Sequence, residues 1–367
     1  MEVSARFYLM SETSSAFLKK NKIKEEYAYW LKKCPICGES RFKKLFHHDG
    51  FSYFICRECS FVFTNPRLNG KGSSIWYNSD YYNAALRKEI FNNNRQEHYY
   101  SVSLNEKHFF KIIEIIEKRF KDKNIRIVDI GCSTGSLLTY LRDKSGFTDL
   151  MGIDLNLMAI EFARKKRKLH VEVADITEIS DRSQYDLVLN TENIEHVNNL
   201  DAYIENIGRV IKPEGYLLIS TPHNDIRALK LVRLLADHFC APNHINYFNE
   251  NTIDLFLKSH GFQIESLYVE KTWRFNLYAF IKSRLFVTDQ VVAEPPFEAL
   301  FIKPIWKNIT DRRRLIKLRR IDSNITVNNT DPSIKKGIRS MVKKAISVPL
   351  GEPFKTHMIL LAKKVRI

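Results

Sequence analysis

From Ile125 to about Gly261, short apolar runs alternate with segments of helical periodicity, a pattern that belongs to βαβ units wound around a parallel sheet. "IRIVDI", "DLMGID", "VEVAD", "YDLVLN" and "YLLIST" read as five strands, and "SLLTYLRD", "LMAIEFARKK", "LDAYIENIGRVI" and "IDLFLKSHGF" as helices. Such a sheet binds ligands beyond the carboxyl ends of its strands, so the residues there carry the functional information.

The first strand runs into "DIGCSTG" and then into a helix. Gly131 and Gly135 let the backbone approach a ligand closely, but Ser133 stands where a dinucleotide fingerprint has its second glycine. A glycine turn alone is a weak signal; the acids around it are stronger. Asp129 ends the first strand, Asp154 ends the second where a carboxylate can accept both ribose hydroxyls, and Asp175 ends the third within reach of an adenine amino group. Three acids at successive strand ends describe an adenosine ligand carrying an ammonium or sulfonium, not a pyrophosphate.

Through "VDIGCSTG", "GIDLN", "VADI", "YDLVLNTENIEHV" and "IKPEGYLLIST", in this order, the chain resembles the class I S-adenosylmethionine-dependent methyltransferases. The resemblance implies an α/β fold: a Rossmann-like seven-stranded sheet with helices on both faces and a reversed last strand, which "HMILLAKK" suits. It also implies that Asp129 helps hold the methionine ammonium, that Gly131, Ser133 and Gly135 wrap methionine and ribose, that Asp154 binds the ribose, and that Asp175, Ile176 and Asn190 lie on the cofactor side. Ser133, and "KPEG" where "KPGG" is common, depart from the family pattern.

Four of the six cysteines form "CPIC" and "CREC", Cys34, Cys37, Cys56 and Cys59. Two C-x-x-C knuckles at this spacing can offer four thiolates to a closed structural zinc site. Two disulfides or a redox pair are the alternatives, and His47 and His48 between the knuckles are competing ligands. The continuation "SFVFTNPRL...YNSDYY" is similar to the zinc-binding N-terminal region of methyltransferases of deoxysugar and surface-polysaccharide biosynthesis, which implies a sugar acceptor, nucleotide-linked or lipid-linked.

Methyl transfer from a sulfonium needs alignment and at most one base. The candidates are polar residues after the fourth and fifth strands: Asn190, Glu192, Glu195, His196, His223 and above all His244 in "APNHINYF", with loop anchoring as the alternative role for His244 and helix initiation or loop anchoring for Glu195 and His196. Tyr77, Tyr81 and Tyr82 are candidates to close over the donor, Cys132 fills space in the glycine turn, and Cys240 carries no assignable chemistry.

The expected organisation is a helical lead-in (1–33), a zinc-ribbon-like domain (34–66), an aromatic linker with lid helices (67–120), the cofactor-binding core (121–282), a basic helical insertion (283–350) and the last strand (351–367). Phe109, Ile112, Ile113, Ile116 and Phe120 mark one helical face for packing. The net charge is +16, and much of it lies between Lys303 and Lys344, so anionic partners are favoured. Residues 303–346 fit either a peripheral contact with an anionic membrane or a solvated insertion. A zinc-containing RNA methyltransferase is the second reading, weakened because the cysteine region lacks basic residues interleaved with aromatics. Without a leader or a long apolar window, a cytoplasmic protein is expected.

Overall fold

The computed structural model describes residues 16–20, 22–48, 50–77, 79, 83, 106–179, 184–225, 241–272 and 354–365. Tyr81, Tyr82, Cys240 and the basic stretch 303–346 lie outside them.

Where it is described, the lead-in holds helical residues at 16–17, a 3-10 turn at Glu25–Tyr27 and three short strands. β1 (Leu18–Lys19) and β2 (Lys22–Ile23) form a small antiparallel pair, and β3 (Ala28–Tyr29) pairs later with β7. β-branched and aromatic residues here find partners in the module that follows, which overrides the helix-forming lysines and glutamates. That module has β4 (Phe42–His48), β5 (Phe51–Cys56) and β6 (Val62–Thr64) in an antiparallel sheet, followed by β7 (Arg67–Leu68). Phe51, Tyr53, Val62 and Trp76 are buried together, the last from α1 (Gly70–Tyr77).

α2 (Glu106–Arg119) buries the expected stripe of Phe109, Ile112, Ile113 and Ile116, with Phe120 just beyond its end. Then come β8 (Arg126–Ile130), α3 (Ser136–Asp143), β9 (Asp149–Asp154), α4 (Leu157–Arg167), β10 (Val171–Val173), β11 (Tyr185–Thr191), α5 (Leu200–Val210) and β12 (Ile211–Pro222). The two-residue β13 (Asn246–Tyr247), α6 (Glu250–Ser259), β14 (Phe262–Thr272) and β15 (Phe354–Lys364) complete the described elements. Asn156, Asn199 and Asn249 cap α4, α5 and α6, each side chain accepting from the backbone three residues on.

The large sheet has strand order β10-β9-β8-β11-β12-β15-β14. The five strands β8 to β12 are mutually parallel, and β15 runs antiparallel to both β12 and β14. This is the α/β Rossmann-like methyltransferase fold, with the reversed last strand in place. Alternate side chains of each strand serve opposite cores. Ile127, Leu187, Leu189 and Leu218 meet α2, α3 and α4, whereas Val128, Val188, Leu217 and Ile219 meet α5 and α6. The second core also takes in Cys34, Cys56, Phe61 and Phe63, so the cysteine module is packed onto the large sheet. The helix expected to run through Phe262 ends at Ser259, because Gly261 turns at φ 76 and releases the chain into β14.

Candidate active site and cysteine cluster

The glycine turn joins β8 to α3 and folds against the end of β9. Both Gly131 and Cys132 donate their amides to the Ile153 carbonyl, at 2.8 and 3.0 Å. Gly131 adopts φ 79, and a Cβ there would stand 2.5 Å from Asn193 Nδ2, so a side chain meets both strain and a clash. Asp154 organises the turn: one carboxylate oxygen accepts from the Ser133 amide and the other from the Asn156 amide, each at 2.8 Å. Ser133 itself sits at φ 48, the left-handed region that glycine enters freely. Glu214 in "KPEG" is at φ 64. Both departures from the family pattern therefore fall where a glycine relieves strain, and both leave the backbone path intact.

Asp129 is buried beside this turn, and its Oδ1 has no hydrogen-bond partner among the described residues. Burial, reinforced by the Asp154 charge, raises its carboxyl from 3.8 to about 7. Burial raises Asp154 as well, against the lowering effect of the Asn156 and Ser133 amides. Asn190, next to the last residue of β11, is fully buried, its Nδ2 donating to the Tyr203 hydroxyl at 2.5 Å and its Oδ1 unpartnered among the described residues. Asn193 donates to the same hydroxyl and to the Ile130 carbonyl. Asp175 lies half-buried one residue before buried Ile176, which opens a short 3-10 turn. The structure thus brings Asp129, Gly131, Ser133, Gly135, Asp154, Asp175, Ile176 and Asn190 to one end of the sheet.

The other candidates gather after β11 and β12. Glu192, at φ 52, accepts from Ser220 Oγ at 3.0 Å and pairs with His357 Nε2 at 2.9 Å. Burial pushes its carboxyl up, but the charge and hydrogen bond of His357 outweigh this and hold it below its ordinary value. His357 also stacks on His108 of α2, which pairs with Glu270 of β14. Buried Glu195 accepts from Thr221 Oγ1 at 2.9 Å, and His196 and His244 lie with their rings 4.8 Å apart. His223 is not part of this group: its Nε2 engages Glu250 at the start of α6, at 2.6 Å.

Among the described residues no cysteine forms a disulfide. Cys34 and Cys59 sulfurs are 3.6 Å apart, Cys37 and Cys56 3.5 Å, and all four lie within 4.8 Å of one another. A tetrahedron of sulfurs each about 2.3 Å from zinc has edges of roughly 3.8 Å, close to the spacing of these two pairs, so the quartet is compatible with such an ion. His47 turns instead to Ser52 Oγ, at 2.9 Å.

The cysteine sheet reaches the candidate site directly. β13, the continuation of the His244 loop, is the fourth strand of that sheet, pairing with β6. Fully buried Arg67 donates to Asn198 O at 2.8 Å and Asn246 Oδ1 at 2.7 Å, and Asn246 in turn donates to Ile194 O and Val197 O. Arg67, Asn246, Tyr203, Asn193 and His357 escaped the sequence reading. Only His357 left a signal, a histidine directly before the apolar run of the last strand.

A family model described as a methyltransferase domain matches residues 104–267, the segment that holds the glycine turn and every strand-end acid described above. This segment resembles a methyltransferase domain in sequence and has the strand order of the Rossmann-like methyltransferase fold. The chain is 34% identical over 111 residues to a ubiquinone biosynthesis O-methyltransferase of Pelagibacter ubique, covering 29% of this chain and 45% of that protein. It is 30% identical over 142 residues to a malonyl-[acyl-carrier protein] O-methyltransferase of Priestia megaterium, covering 38% and 52%. The chain thus spans about half the length of these curated relatives. A putative sarcosine dimethylglycine methyltransferase of Galdieria sulphuraria superposes with a TM-score of 0.45 at 12% identity, over 77% of this chain and 98% of that one. The fold of the methyltransferase domain rests on its strand order, not on that superposition. Among the described residues no helix is long and apolar enough to cross a membrane.

Proposed function

We propose that the protein is an S-adenosylmethionine-dependent methyltransferase acting on an oxygen of a small, sugar-like acceptor. The reading is carried by two carboxylates at the glycine turn, buried Asp129 and half-buried Asp154. Asp129 offers an unpartnered oxygen in a buried site where a ligand's cationic N–H donor would favour its charge, and Asp154 has lone pairs left beyond its two amide bonds. Asp129 and residues 131–135 would hold the methionine part, Asp154 the ribose, and Asp175, Ile176 and Asn190 the adenine side.

When bound, the donor supplies a methyl group on a sulfonium for in-line displacement. The chain's work is alignment, exclusion of water and handling of the acceptor proton. We place Glu192, His196 and His244 at the acceptor. His196 donates Nδ1–H to the Asn243 carbonyl at 2.6 Å, which leaves the Nε2 lone pair facing inward. We assign zinc to the cysteine quartet, in a structural role that holds the His244 loop through β13. An oxygen acceptor is supported by the O-methyltransferase names of the relatives, and a sugar by the resemblance of the cysteine region.

Incubation with methyl-labelled S-adenosylmethionine and nucleotide-linked or lipid-linked sugars is expected to label a sugar oxygen. Asp154→Ala removes the ribose ligand and the anchor of the Ser133 amide, and should weaken donor binding roughly 100-fold, about 3 kcal/mol. Label entering RNA and no sugar would overturn the acceptor; unchanged affinity in Asp154→Ala would overturn the donor site.

A further inference from the structure

Three groups on the acceptor side converge without bonding to one another. Glu195 Oε1 is buried with no hydrogen-bond partner among the described residues, although its other oxygen is held by Thr221. It faces His196 Nε2 at 3.8 Å and His244 Nε2 at 4.0 Å, too far for hydrogen bonds, and the three ligand atoms lie within 4.8 Å of one another. A carboxylate and two imidazoles bonding a cation at about 2.0–2.2 Å would stand roughly 3.0–3.6 Å apart, an inward shift of less than an ångström each.

The surroundings are built as a metal site's second shell is built. The Nδ1–H of His196 is spent on the Asn243 carbonyl, which fixes the tautomer that presents Nε2 as a ligand. The Ile245 amide donates to the Glu195 carbonyl at 2.9 Å, and Asn246 ties both segments together through Ile194 O and Val197 O. The two ligand-bearing segments are thereby locked in register before any ion arrives.

We propose that Glu195, His196 and His244 bind a divalent transition-metal cation, with open positions for an acceptor oxygen. Two nitrogens and one carboxylate suit zinc, manganese, iron(II) or cobalt, whereas four thiolates in the cysteine quartet select zinc. The cation site stands on this geometry alone; its part in catalysis rests on the methyl-transfer reading. There, a hydroxyl bound to the cation releases its proton to solvent. The oxygen then bonds to the methyl carbon as the carbon–sulfur bond breaks, its electron pair going to sulfur. His196 and His244 then act on the acceptor through the cation.

The test is a difference in metal content. Full-length wild type, Glu195→Gln and His244→Gln are dialysed against Mn2+ and all bound metals are counted by mass spectrometry. Wild type is expected to hold one metal ion per chain more than either variant, with zinc at the cysteines equal in all three. Equal total metal in all three proteins would overturn the site. Titration of the same wild-type sample with S-adenosylhomocysteine separates the two readings: a metal difference without nucleoside binding would keep the cation site and remove the methyl-transfer role.

Discussion

Asp129→Asn is expected to bind S-adenosylhomocysteine roughly 100-fold more weakly than wild type and yet to melt at a higher temperature above pH 7. The carboxyl is buried without a compensating hydrogen bond on Oδ1 and lies near Asp154, so the folded protein raises it from 3.8 to about 7. A carboxyl raised by folding holds its proton more tightly in the native state. Its stability contribution is therefore favourable below its unfolded value and is lost as pH climbs from about 4 through about 7. Asparagine carries no such charge, so its advantage should grow over that window to on the order of 4 kcal/mol at pH 8. Binding responds in the opposite sense, because an ammonium needs the carboxylate. Thermal melts at pH 5 and pH 8, with calorimetric titration at pH 8, check both halves. A variant that binds as wild type does, or melts lower at pH 8, would mean that Asp129 is a structural acid and not a donor ligand.

Cys34→Ser is expected to lose the zinc and, with it, the acceptor side of the active site. Cys34 is buried in the core shared by Phe61, Phe63, Phe248 and Leu217, and its sheet extends through β6 into β13. The Thr64 amide donates to the Ile245 carbonyl, and Arg67 grips Asn246, so a slack cysteine module releases the loop that carries His244. Zinc stabilises small cysteine modules by about 10 kcal/mol or more, enough to decide whether this one folds. A displacement of about 1 Å at a reacting group costs roughly 100-fold in rate, so turnover should fall by at least that factor. Donor affinity should change less than about tenfold, because Asp129 and Asp154 stand on β8 and β9, which are hydrogen-bonded within the large parallel sheet and not to the cysteine sheet. Metal analysis, turnover and donor titration on one preparation separate these effects. Full turnover in a zinc-free variant would contradict the coupling.

The parallel half of the fold was legible because each element obeyed a local rule. β9 and α3 match the sequence reading residue for residue, as apolar periodicity, strand-end acids and glycines agreed. The stripe of α2 was legible for the same reason. The first lysine-rich segment was not, because its short strands exist only by pairing with β7 and with each other. The donor side of the site follows one continuous motif from Asp129 to Asp154. The acceptor side is assembled from residues far apart in the chain, Arg67, Glu195, His244 and His357, and no spacing rule joins them. Glu195 was visible as a polar residue in "NIEHV", but its unpartnered oxygen facing two imidazoles is a property of the fold.

Calorimetric titration of zinc-loaded, full-length protein with S-adenosylmethionine and with S-adenosylhomocysteine tests the central claim most directly. Both are expected to bind at a single site per chain, more tightly at pH 8 than at pH 6 as Asp129 ionises. Failure of both to bind a folded, zinc-loaded sample would contradict the donor site and, with it, the methyltransferase reading.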